Sequence, residues 1–256
     1  MTTIEELSIG SAWLRAFEIT HRNRGATPTP ISVTFSNALG AHSYDRVIQE
    51  YLDSELTSHK MPSTSTVAGT IFPKSLWSAD APRNQLFDLY NQAFPRIQRS
   101  CRNNKKGTYF RRMTSFGNKT ERINQLEHVI NYWNSGHRRA SAYQLAIFSP
   151  LEDHTNSPYG AFPCLHQISI TPHGTNGKDG MNITGYYATQ HIFNKAFGNY
   201  IGLYNLGLFM AHEMGLELKT VTCIAANPQI GTINNQSLSV AKQKQVLEDL
   251  KKSIKV

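Results

Sequence analysis

Residues 199–216, NYIGLYNLGLFMAHEMGL, are the longest near-apolar stretch of the chain and its strongest constraint. The run carries His212, Glu213 and two asparagines, so it falls short of the roughly 20 clean apolar residues that a bilayer span needs. A helix that is apolar on nearly every side must instead be wrapped by the rest of the fold. Strand-like segments flank it in sequence. PCLHQISIT (163–171), MNITGYYAT (181–189) and TVTCIAA (220–226) read as strands, and HGTNGKDG between the first two has the Asn-Gly of a hairpin. ISVTF (31–35) and ASAYQLAIF (140–148) read as further strands.

Helices are expected over 10–20, weakly over 44–57, and over 83–94, where Leu86, Leu89, Tyr90 and Phe94 share a face. Another should start at an N-cap on Thr120, carry Ile123, Leu126, Ile130 and Trp133, and stop at Gly136. A polar amphipathic helix should close the chain over 238–253, and 61–69, MPSTSTVAG, reads as a loop. No linker or repeat interrupts the 256 residues, so one α+β domain over 1–256 is expected. With 39% hydrophobic and 17% charged residues, the chain is neither disordered nor membrane-embedded in composition. Three cysteines make no disulfide framework, and the acidic N-terminus has no signal-peptide pattern; a cytoplasmic protein is expected.

Lys plus Arg number 26 against 18 Asp plus Glu, a net charge of +8. That surplus either aids solubility or favours an anionic partner such as a phosphorylated metabolite, a nucleic acid or an acidic lipid face. The most basic stretch is SCRNNKKGTYFRR (100–112), a solvated or an anion-contacting loop. Several motifs are absent. GTNGKDG lacks the spacing of a phosphate loop, HEMGL lacks the second His of a zinc-protease helix, and Cys164-x-His166 has no second cluster for zinc. No serine elbow, helix-turn-helix or zinc finger is present, so nucleic-acid binding would rest on charge alone. What remains is Cys164 between a proline and a strand, and the Arg138-Arg139 pair between a helix end and a strand. A thiolate is a strong nucleophile where positive charge lowers its pKa, and paired guanidiniums suit a phosphate. A lone cysteine is more commonly a small buried hydrophobe.

In order and spacing these segments resemble thymidylate synthase and its relatives, the pyrimidine-nucleotide hydroxymethylases. ERINQLEHVINYWNSGHRRASAYQLAIFSP resembles the family's D-Q-I helix, its S-R-R and the strand after it. Phe162-Pro163-Cys164 resembles the Pro-Cys-His nucleophile segment, with Leu165 in place of His and His166 one later. YYATQHIFNKAFGNYIGLYNLGLFMAHEMGL resembles the R-S-x-D strand and the long helix after it. The likeness covers about 120–231, and more loosely 10–118.

The resemblance implies a mixed sheet packed on the long hydrophobic helix, with sheets back to back in a homodimer. It implies a one-carbon transferase in which Cys164 adds to C6 of a uracil-type nucleotide and C5 becomes the carbon nucleophile. Arg138 and Arg139 would reach the partner's nucleotide phosphate, with Arg24 and Thr189 as same-subunit phosphate ligands. Asn199 would read the N3–H and O4 edge, unless it merely caps the helix, and Tyr109 would line the site near C5. His191 stands where the family has Asp and is a candidate base for the thiol. The donor implied is methylene-tetrahydrofolate. The sequence departs from the family at several positions. Lys74 holds the catalytic carboxylate's slot, Ala188 the phosphate arginine's, and Asn227-Pro228-Gln229-Ile230-Gly231 the D-x-H-x-Y segment. The C-terminal region that closes over folate has no counterpart in 234–256. A catalytically silent homologue that binds a nucleotide or a protein is therefore the alternative expectation.

Overall fold

In the computed structural model the long apolar run is a helix enclosed between a sheet and a second, shorter helix. The structure describes residues 1–27, 29–36, 43–101, 104–117, 120–156, 163–173 and 180–254. In chain order the elements are β1 (Thr2–Glu6), α1 (Ile9–Arg22), β2 (Ile31–Phe35), α2 (Ser43–Ser58), α3 (Thr64–Ile71) and α4 (Arg83–Ser100). Next come α5 (Tyr109–Thr114), β3 (Phe116–Gly117), β4 (Arg122–Ile123), α6 (Gln125–Asn134), β5 (Gln144–Ala146) and α7 (Pro150–Asp153). The remainder is β6 (Leu165–His173), β7 (Gly180–His191), α8 (Phe197–Met214), β8 (Leu218–Gln229), β9 (Thr232–Ile233), β10 (Gln236–Ser237) and α9 (Val240–Ile254). A π-helical turn, Ile192–Ala196, joins β7 to α8 without a break.

Six strands form one mixed sheet in the order β1-β2-β8-β7-β6-β5. β7 and β8 run parallel, so the chain must cross over between them, and α8 is that crossover. One sheet face is apolar, with Val33, Leu165, Ile168, Ile183, Tyr187, Val221 and Cys223 buried against α1 and α8. The other presents Thr34, Thr184, Tyr186, Thr222 and Ile224, half-buried to exposed. Alternation along each strand produces this two-sided character.

The segment read as a loop over 61–69 is largely helical. Ser63 caps α3 by accepting the Thr66 N–H, and Val67, Ala68 and Ile71 face inward. α3 sits so close to α8 that a Cβ on Gly198 would lie 2.6 Å from the Thr64 carbonyl oxygen. A Cβ on Gly202 would lie 2.9 Å from that of Ala68. Two glycines one turn apart make the groove that admits this backbone. The N-cap expected at Thr120 is instead Asn124, which accepts the Glu127 N–H at 3.1 Å, and Ile123 lies in β4. The strand expected over 140–148 is a short 3-10 turn, Ala140–Ala142, and then β5. The basic stretch 100–112 is partly helical, since α5 begins at Tyr109. The Asn-Gly hairpin turn and Phe162 lie outside the described residues. None of the described helices is long and apolar enough to cross a membrane.

Candidate functional site

Cys164 stands just ahead of β6, exposed at the surface, and its carbonyl accepts the Ala188 N–H of β7 at 2.9 Å. The nucleophile candidate is thereby tied to the strand that resembles the R-S-x-D segment. Tyr109, the first residue of α5, lies at the same point, its phenol in electrostatic contact with Cys164 and with the backbone N–H groups of Leu165 and Cys164. Burial, then the nearby Cys164, push the Tyr109 phenol well above its ordinary range.

α5 is held firmly. Thr108 caps it by accepting the Arg111 N–H at 3.2 Å, and the Tyr90 hydroxyl bonds the Thr108 hydroxyl. Arg112 of the same helix is buried and paired with Asp153, and Gln125 at the start of α6 bonds the Arg112 carbonyl and both polar backbone atoms of Ala146. Behind Cys164, Tyr187 of β7 is fully buried, in electrostatic contact with Cys223, Tyr109, Tyr200 and Cys164. Its hydroxyl and that of Tyr200 have no hydrogen-bond partner among the described residues. Neither amide atom of Gln190, 2% exposed, has one either. Orphaned buried polar groups are rare in folded proteins, and they mark this end of β7 as a place where a ligand or water is expected.

The sequence pattern did not single out Lys195. It lies in the π turn, whose neighbours are pinned on three sides. The Trp13 indole donates to the Ile192 carbonyl at 2.8 Å, Phe193 N–H to Ile230 at 2.9 Å, and Thr232 N–H to the Asn194 side chain at 3.2 Å. Burial lowers the Lys195 ammonium pKa, and the thiols of Cys101 and Cys164 raise it. Packing pushes the Cys164 thiol up even though the residue keeps an exposed surface, and Lys195 is the charge that pulls it down. The only sequence signal for this role was a single cation inside an apolar stretch.

The other candidates scatter. Thr189 and His191 pair in register with Asn227 and Gln229, so the two segments that depart most from the family lie side by side on β7 and β8. His191 shares a 3.0 Å hydrogen bond with the Gln229 side chain, and burial, with Lys195, lowers its pKa. Its hydrogen bond runs away from Cys164. Asn199 is 5% exposed inside α8 and caps nothing, because the helix continues from the π turn with Ala196 at the cap position. Leu165 is core, and His166 stacks on Phe148 at 4.7 Å.

Arg24 is exposed and, among the described residues, bonds its own turn through the His21 carbonyl at 3.1 Å. Arg138 donates to the Trp133 and His137 carbonyls and lies 3.7 Å over the Trp133 ring, and Arg139 bonds Ser141 at 3.1 Å. Both are exposed. Lys74 is exposed and stands 3.8 Å over the Trp77 ring. Within one chain, then, the structure unites Cys164, Tyr109 and Lys195, while Arg24, Arg138 and Arg139 keep to local contacts. Among the described residues no group of His, Cys, Asp and Glu could hold a metal ion. No model of a known protein family matches the chain, and a search of curated proteins finds no match.

Proposed function

We propose that the protein is a thymidylate synthase-like transferase acting at C5 of a uracil-type nucleotide through a covalent Cys164 adduct. One observation carries this reading: an exposed thiol has the Tyr109 phenol and the Lys195 charge as its electrostatic neighbours. The thiolate of Cys164 adds to C6, and the C5–C6 double bond electrons move onto C5 and the C4 carbonyl. C5 then bonds an electrophilic one-carbon unit. Loss of the C5 proton to solvent with departure of the carrier's amine would leave an exocyclic methylene at C5, and addition of hydride from the carrier, or of water, to that carbon as the thiolate leaves C6 would restore the ring and the free cysteine. Lys195 supplies a cation close to Cys164, the place that Ala188 leaves without one. Thr189 and Asn199 remain the candidate phosphate and base ligands on β7 and α8, and Tyr109 orients the Cys164 segment. Methylene-tetrahydrofolate is the donor that the sequence resemblance implies.

The half-open face of the sheet, with Tyr186 42% exposed, supports a homodimer that buries it, in which the exposed Arg138 and Arg139 would exchange their local contacts for the partner's site. The test is intact-protein mass spectrometry after incubation with 5-fluoro- and 5-bromo-pyrimidine nucleotides. An adduct lost in Cys164→Ser supports the reading; no adduct with any nucleotide, from a folded dimer, removes it. A silent nucleotide-binding homologue is the second reading. It is favoured by Lys74, which holds a cation over Trp77 where the family has its proton-relaying carboxylate.

A further inference from the structure

Away from Cys164, a cleft of about 340 Å³ opens between the end of α4, α5 and the β3–β4 ribbon. Lys105, Lys106, Arg111 and Arg122 line it, and Glu152 is the one carboxylate among its described lining residues. Cys164, Tyr109 and Lys195 are not part of its wall.

The arginines of this region divide into two kinds. Arg112 spends its charge on Asp153 through a two-pronged pair at 2.6 and 2.7 Å, which makes it a strut. Arg111 is half-buried and is placed by neutral partners. It donates to the Asn91 side chain at 2.5 Å and lies 4.8 Å over the Phe94 ring. Arg122 donates to the Ser115 hydroxyl at 3.2 Å, and Lys106 to the Glu152 carbonyl at 3.0 Å. The ion pairs between described residues leave out all four cations. Burial and the facing Arg122 both work against the charge on Arg111. A guanidinium cannot shed its proton to escape this, so an anion in the cleft would relieve the repulsion.

We infer that this cleft binds a compact oligophosphate, carried by a nucleoside triphosphate or free as inorganic triphosphate, on Lys105, Lys106, Arg111 and Arg122. Four cations around one concavity match the three to four charges of a triphosphate better than the one or two of a single phosphate. The volume lies at the small-ligand end of binding sites and forms a pocket, where a nucleic acid would need a long basic track. Planar donor forks held in place lose little freedom on meeting phosphate oxygens. The half-buried Phe116 ring in the same wall offers a stacking surface for a base.

The test is calorimetric titration of the full chain with inorganic triphosphate, a nucleoside triphosphate, inorganic phosphate and a single-stranded oligonucleotide, at low and at physiological salt. Saturable triphosphate binding is expected, weaker as salt rises, and weakened about ten-fold or more in Arg111→Gln and in Arg122→Gln. Lys244→Gln, an exposed charge on α9, should bind like the parent. Tighter binding of the nucleoside triphosphate assigns the site to a nucleotide; equal binding assigns it to the triphosphate group itself. Among the described residues the exposed Arg122 side chain bonds Ser115, so its variant carries the test if Arg111→Gln does not fold. Undiminished binding in both variants, no saturable triphosphate binding at low salt, or binding confined to a single-stranded oligonucleotide would overturn the inference. Cys164→Ser should bind triphosphate unchanged, which keeps this outcome separate from the fate of the covalent adduct.

Discussion

Arg112 grips Asp153 through two parallel hydrogen bonds, at 2.6 and 2.7 Å, in a site where the carboxylate is fully buried. The pair locks α5, and with it Tyr109, to the end of α7. Asp153→Ala should cost about 3–5 kcal/mol, because it strands a buried guanidinium. Thermal melting should fall on the order of 10 °C, and a drop within error would show that the pair is relaxed in solution. Burial raises the Asp153 carboxyl pKa, but the Arg112 and Ser149 hydrogen bonds and the charges of Arg112 and Lys106 hold it below the usual range. A depressed carboxyl stabilises above its unfolded pKa. The stability gap between the parent and Asp153→Asn should therefore be full at neutral pH and close as pH falls below about 4.

Lys195 bears on the reactivity of Cys164 through charge alone. Removing it in Lys195→Gln should move the pH midpoint of Cys164 alkylation upward and slow alkylation several-fold at neutral pH, since Lys195 is the group that lowers the thiol pKa. Iodoacetamide labelling across a pH series measures this. Coincident profiles for parent and variant would remove Lys195 from the site.

Tyr109→Phe deletes the phenol oxygen that lies nearest the Cys164 and Leu165 N–H groups in the electrostatics of this site. Unpaired amides cost about 1–3 kcal/mol. Hydrogen exchange at these two positions should accelerate more than elsewhere in β6. Protection equal to the parent's would mean that water or another group serves them already.

Gly198→Ala would ordinarily stabilise a helix by nearly 1 kcal/mol. Here the new methyl meets the Thr64 carbonyl at 2.6 Å, and backbone cannot step aside cheaply. A net loss of about 1–3 kcal/mol is expected in urea unfolding. A gain in stability would disprove the close approach of α3 and α8.

The sequence made some of this legible and hid the rest for physical reasons. β2 matches its expected span, Ile31–Phe35, and α8 lies where the apolar run put it, because alternation and continuous apolarity are local signals. α3 was not legible. Its Ser and Thr content resembles a turn, and what makes it a helix is the Ser63 cap and the glycine groove of α8, more than a hundred residues away. Ile123 fits a helical spacing, yet pairing with Phe116 draws it into β4. Cys164 was singled out by its neighbours in sequence. Lys195 and the buried phenols of Tyr187 and Tyr200 were not, since an isolated Lys or Tyr in an apolar stretch does not say which way it points.

The π turn at Ile192–Ala196 gives the chain a degree of freedom that a plain α-helix lacks. Each π-type turn closes on the fifth residue rather than the fourth, so it absorbs one extra residue and shifts the angular phase of β7 and its end relative to α8. Downstream, Gly198 and Gly202 stay in step with α3. Upstream, the pinned carbonyl of Ile192 stays in step with α1. Position 195 lies between these two registers, so the cation that lowers the Cys164 pKa is set where two packing phases of the chain meet.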